Sequence, residues 1–114
     1  EFNAFDQRPY FQVAKRARKM NAAGLNEFRW IQQRVEKARA ENSGTPDELF
    51  MFKSKDFGVS PVFYFFGDSA SRKKVYTLSV IGSRWVFGEK MISSSFYDDF
   101  KWNADNDVAV MRFA

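Results

Sequence analysis

The side chains best suited to chemistry in this sequence are cations set among rings. Between Arg8 and Arg39 there are nine Lys or Arg residues and two acidic ones. At 3.6 residues per turn, Arg8, Lys15, Arg16 and Lys19 fall opposite the apolar stripe of a first helix. Trp30 shares a face with Gln33, Arg34 and Lys37 of a second helix, at spacings of three, four and seven. A ring flanked by guanidinium and ammonium groups suits nucleic acid: the cations displace counterions from phosphates, and the ring stacks on bases. The same pattern also serves solubility, because amphipathic helices carry Lys and Arg outward and the net charge is only +4. A further cluster, Arg72-Lys73-Lys74, sits at a turn, where charge is common, and joins the helical cations only if the fold brings it to their side.

Other chemistries find little support. With no His and no Cys there is no imidazole base, no thiolate nucleophile, no disulfide and no Cys/His metal site. Ser93-Ser94-Ser95 therefore has no His to activate it. Asp98, Asp99, Asp105 and Asp107 are the one carboxylate cluster, of a type that holds Mg²⁺ or Ca²⁺. The Asn103–Asp107 stretch lacks the glycine and distal glutamate of a calcium loop, so these residues read as loop caps. No glycine-rich phosphate cradle or nucleophile elbow is present. No cofactor and no metal are expected.

The elements that must position these groups can be read from periodicity. With 114 residues, 45% of them hydrophobic, the chain has room for one core, and 14 Phe residues make that core ring-rich. Residues 1–7 read as a flexible lead-in and 8–114 as a single domain. Pro9 suits the first turn of a helix whose stripe is Tyr10, Val13, Ala14, Ala17 and Met20. Gly24 is expected to break it and Asn26 to cap a second helix, with its stripe at Phe28, Ile31, Val35 and Ala38 and its end near Ser43-Gly44. Thr45-Pro46-Asp47-Glu48 has capping-box spacing and predicts a short helix through Leu49–Phe52, where a strand is the competing reading.

After Gly58 the texture turns to strand. Val62–Phe66 is apolar throughout, as in a strand covered on both faces, and too short to cross a bilayer. Lys74–Ile81 and Arg84–Phe87 flank Gly82-Ser83, a two-residue hairpin signal. Ser93–Tyr97 suggests a helical turn, and Phe100–Trp102 with Val108–Phe113 a last hairpin around a polar loop. The expected core includes Phe63, Phe65, Leu78 and Val80 with Phe28 and Val35. The expected fold is α+β: two N-terminal amphipathic helices packed on a four- or five-stranded antiparallel sheet.

Two helices followed by the strand pair Val62–Phe66 and Lys74–Ile81 resemble, over roughly residues 25–87, the element order of RelE-type toxins. That resemblance implies messenger-RNA cleavage by basic and Tyr residues. The chain departs from it in having no Arg on Val62–Phe66.

These readings give one leading expectation and two alternatives. The first is a non-catalytic binding module whose basic helical face engages an anionic partner, nucleic acid, through Arg8, Lys15, Arg16, Lys19, Trp30, Arg34, Lys37, Arg72, Lys73 and Lys74. The second is a protein–protein module, an inhibitor or adaptor for an acidic partner surface, using exposed aromatics such as Trp85 or Trp102. The third is a small His-independent ribonuclease. No membrane partner is expected, and a cytoplasmic setting is favoured.

Overall fold

The computed structural model describes residues 2–41, 61–66, 73–81, 84–95, 97 and 100–112. A 3-10 turn at Phe2–Phe5 precedes α1 (Tyr10–Lys19) and α2 (Leu25–Ala40), and β1 (Val62–Phe66), β2 (Lys74–Ile81), β3 (Arg84–Met91) and β4 (Asp107–Ala109) follow. The predicted segment Leu49–Phe52, the predicted turns at 67–71 and 82–83, Arg72, Asp98, Asp99 and the side chain of Val80 lie outside the described residues.

α1 ends at Lys19, five residues before the first glycine, Gly24. Asn21 takes φ 66°, and Ala22 donates its N–H to the Ala17 carbonyl at 3.0 Å. That is a Schellman ending, in which a left-handed residue lets the chain turn back and satisfy an orphan carbonyl. Gly24 is instead the residue before α2, so Asn26 lies inside the helix and does not cap it. The first turn is held by Glu27, whose carboxylate accepts the Gly24 N–H at 3.0 Å and pairs with Arg112. Burial raises the Glu27 pKa, but these hydrogen bonds and the Arg112 charge outweigh it and hold the carboxyl below its usual range.

The sheet order is β3-β2-β1-β4. β1 and β2 run antiparallel with Phe63 opposite Leu78, and β2 and β3 antiparallel with Ile81 opposite Arg84. β4 is parallel to β1, so the sheet is mixed and not antiparallel throughout. The expected last hairpin does not form, because Phe100–Trp102 pairs elsewhere. Trp102 donates its N–H to the Arg8 carbonyl and accepts the Gln7 N–H, both at 2.8 Å, and Lys101 bridges Pro9. With its partner taken by the N-terminal segment, the chain after Trp102 continues to the free edge of β1. A parallel neighbour requires a long crossover of this kind. Nor is there a helical turn at Ser93–Tyr97 among the described residues. Ser93 and Ser95 hydroxyls accept the N–H groups of Ser95 and Tyr97 at 3.1 Å, forming successive side-chain turns.

The two helices cover opposite faces of the sheet. Tyr10, Val13, Ala14 and Ala17 of α1 pack with Tyr64, Phe66, Val75 and Trp102. Phe28 and Val35 of α2 pack with Phe65, Tyr76, Leu78 and Trp85. Alternate residues of β1 and β2 point to the two cores, as strand geometry requires. This accounts for the unbroken apolar run of β1. The chain passes from one face to the other at the buried Ala22-Ala23 step. There the Ala23 N–H meets the Val110 carbonyl, and the Ala23 carbonyl accepts the Phe66 N–H, both at 2.8 Å. Of the expected core, Phe28, Val35, Phe65 and Leu78 are buried, while Phe63 is only half-buried.

Candidate functional site

Because α1 and α2 lie on opposite sides of the sheet, the cations expected to form one basic face form two. Arg8, Lys15, Arg16 and Lys19 are exposed on the α1 side, and Trp30, Arg34 and Lys37 are exposed on the α2 side. Trp30 is 59% exposed with the Arg34 guanidinium 4.8 Å from its ring centre, a cation–π pair within a single helix.

On the α1 side the fold adds a cation that helix periodicity does not supply. Phe11, Lys15, Arg18 and Lys19 share one face of α1 and line a groove of about 590 Å³, closed on its other side by Lys73, Ile92 and Ser94. Lys73 is held there by backbone geometry. Past the last β2–β3 pair, Lys74 opposite Met91, the Ile92 N–H donates to the Lys73 carbonyl at 2.8 Å. The packing of Val75 against α1 brings this end of the sheet beneath the helix. Among the described residues that line the groove there are four cations and no carboxylate. Arg16, Arg18 and Lys19 also occupy the last turn of α1, where positive charge complements the helix dipole. Lys73 joins them from outside the helix, from the sheet end that faces it.

The remaining sequence-predicted residues separate from this groove. Arg8 and Arg16 are exposed but do not line it. Lys74 pairs with Glu89 at 3.7 Å, an exposed ion pair of small energetic value. The hollow on the α2 side is smaller, about 170 Å³, and mixes Arg29 with Glu89 among Phe28, Tyr76 and Phe87. It therefore carries no comparable excess of one charge.

Beside the α1 core lies a polar chain that sequence reading missed. The Lys90 ammonium donates to the Tyr64 hydroxyl at 3.1 Å, Tyr64 and Tyr10 hydroxyls meet at 2.9 Å, and Tyr10 donates to Asp107 Oδ2 at 3.2 Å. An ammonium has only protons to give and a carboxylate only lone pairs, so the donors run Lys90 to Tyr64 to Tyr10 to Asp107. The Lys90 charge also lies over the rings of Tyr10, Tyr64 and Phe100, 5.3–5.8 Å from their centres. Burial, then the bond to Tyr10, pushes the Tyr64 phenol far above its ordinary pKa and keeps it neutral. Burial likewise raises Asp107, only partly offset by the Asn103 N–H, the Tyr10 hydroxyl and the Lys90 charge. Tyr64 is 1% exposed, so this network organises the core and offers no hydroxyl to a substrate. Its members belong to four separate elements, and no sequence spacing relates them.

The aromatic residues expected at the surface are elsewhere. Trp85 and Trp102 are buried, Trp102 completely, with Tyr64 and Tyr10 ring centres 5.2 and 6.1 Å away. They cannot form an exposed docking surface. Phe100 and Tyr97 are exposed instead, at 62% and 93%. Tyr97 is the one tyrosine of four outside the core, which leaves a tyrosine-dependent ribonuclease a single accessible phenol. Asp107 is engaged by Tyr10 and by the Asn103 N–H at 2.9 Å, in keeping with a loop cap. Among the described residues no group of three metal-ligating side chains occurs, and no helix is long and apolar enough to cross a membrane. Comparison of the chain with protein families, curated proteins and solved structures finds no match.

Proposed function

We propose that this protein is a non-catalytic binding module that engages an anionic partner, nucleic acid, through the groove between α1 and the Lys73–Ile92 end of the sheet. One observation carries the reading. Lys73 converges with Lys15, Arg18 and Lys19 on a groove with no described carboxylate, although it is more than fifty residues away in sequence. A helix face that is merely solvated has no need of a cation from a distant strand. Grouping like charges costs self-repulsion, which an anionic partner relieves. Trp30, Arg34 and Lys37 stand on the other side of the sheet and take no part in this contact.

The test is a salt titration of binding to DNA and RNA. Four phosphate contacts give a slope of log K against log salt of about −3.6 on duplex or −2.8 on single strands. Affinity should then fall by about 50- to 150-fold between 50 and 200 mM salt. Lys73→Gln and Lys15→Gln should each lower the slope magnitude by about 0.7–0.9. Absence of binding to either nucleic acid at about 50 mM salt would refute the proposal and turn attention to an acidic protein surface.

A further inference from the structure

The groove combines two features that a phosphate-binding surface alone does not require. Its rim is cationic, but Phe11 and Ile92 line it as well. Phe11 is half-buried, so the ring takes part in the groove wall and is not enclosed in the core behind it. At about 590 Å³ the groove falls within the range of about 300–1,000 Å³ typical of small-molecule clefts. It is therefore large enough for a base and not only for a phosphate.

On the reading that the groove binds nucleic acid, we infer that it selects single strands: a splayed base enters against Phe11 and Ile92 while the flanking phosphates meet Lys15, Arg18, Lys19 and Lys73. A duplex keeps its bases stacked inside and presents sugar and phosphate outward, so it can reach the rim but leaves the apolar wall unfilled. A single strand offers base faces that stack on an aromatic whatever their sequence. Lys15 and Lys19 stand one helical turn apart, about 6 Å along the axis. That places cations along the groove and not at one point, as a backbone running past it requires. Ser94 adds a hydroxyl at the same wall. The prediction is a protein indifferent to sequence, preferring unpaired nucleic acid, with affinity divided between a salt-dependent rim and a salt-independent ring.

Fluorescence anisotropy with a labelled single-stranded oligonucleotide and its duplex, at about 50 mM salt, tests this. The single strand should bind about tenfold or more tighter than the duplex. Phe11→Leu, which keeps an apolar side chain without a π-face, should weaken single-strand binding about tenfold. The same variant should leave duplex binding and the salt slope unchanged, and Phe11→Tyr should bind as the wild type does. Equal affinity for both forms, or wild-type single-strand affinity in Phe11→Leu, would overturn the inference. With the Lys73→Gln salt slope still reduced, the proposed function would survive that result. Loss of binding to both forms in the wild type would overturn the function and the inference together.

Discussion

The Lys90–Tyr64–Tyr10–Asp107 chain makes a quantitative prediction about coupling. Tyr64→Phe keeps the ring and its packing but removes the acceptor for Lys90 and the donor to Tyr10. A hydrogen bond to a charged group contributes about 1.5–3 kcal/mol and a neutral one about 0.5–1.5 kcal/mol. Lys90 is half-buried and can be rehydrated, so the lower ends apply and the loss should be about 2 kcal/mol. Tyr10→Phe removes a long bond to a carboxylate and takes from the Tyr64 hydroxyl proton, almost sealed from solvent, its Tyr10 acceptor, with only the less well placed Asp107 carboxylate in reach. That poorly satisfied group brings the loss to about 3 kcal/mol. In the double variant the shared bond is lost only once and no such group remains. Its cost should be about 3.5 kcal/mol, against about 5 for the sum, giving a coupling of about 1.5 kcal/mol. Urea unfolding at pH 7 measures all four species, with unchanged m values confirming a common folded state. Additivity within about 0.5 kcal/mol would refute the relay and leave two independent phenols.

The same core makes two further predictions, and the exposed Trp30 makes a third. Because burial raises the folded Asp107 pKa above its unfolded value of about 3.9, the folded chain retains this proton to higher pH. Its contribution is full below the unfolded value and is lost as pH rises through the folded one. Wild type should therefore compare better with Asp107→Asn at pH 3.5 than at pH 7, and the opposite order of urea midpoints would exclude this sign. Trp102→Ala should cost about 3–5 kcal/mol, since the ring is fully buried among Tyr10, Tyr64 and Phe66. Trp30→Ala should cost about 1 kcal/mol or less and leave groove binding within twofold, since it loses only an exposed cation–π pair. Thermal unfolding of the two variants and one titration of the second check this.

The local elements were legible because periodicity is a property of neighbouring residues. Tyr10, Val13, Ala14 and Ala17 repeat at helical spacing because one side of α1 must leave water, and all four are buried. Val62–Phe66 is apolar at every position because both of its faces are covered. The excess of Lys and Arg before residue 40 could also be counted directly. Trp85 and Trp102 show the limit of this kind of reading. Nothing in their immediate neighbours distinguishes a ring at the surface from one enclosed by distant elements.

Composition and spacing by themselves determined the types of α1, α2 and β1 to β3, the absence of imidazole and thiol side chains, and the concentration of positive charge on the first two helices. Only the tertiary structure decided which cations stand together. The reversal at Asn21 and the passage of Ala22-Ala23 across the sheet edge put α1 and α2 on opposite faces, dividing what looked like one basic surface. The pairing of Trp102 with Gln7 and Arg8 sent the last strand to the far edge of β1, in parallel and not in a hairpin. The extension of β2–β3 pairing to Lys73 and Ile92 then completed the groove from the other side. Each of these steps is a contact between residues far apart in sequence. Such contacts are fixed by which buried surfaces and backbone groups satisfy one another across the whole chain, and local periodicity carries no record of that competition.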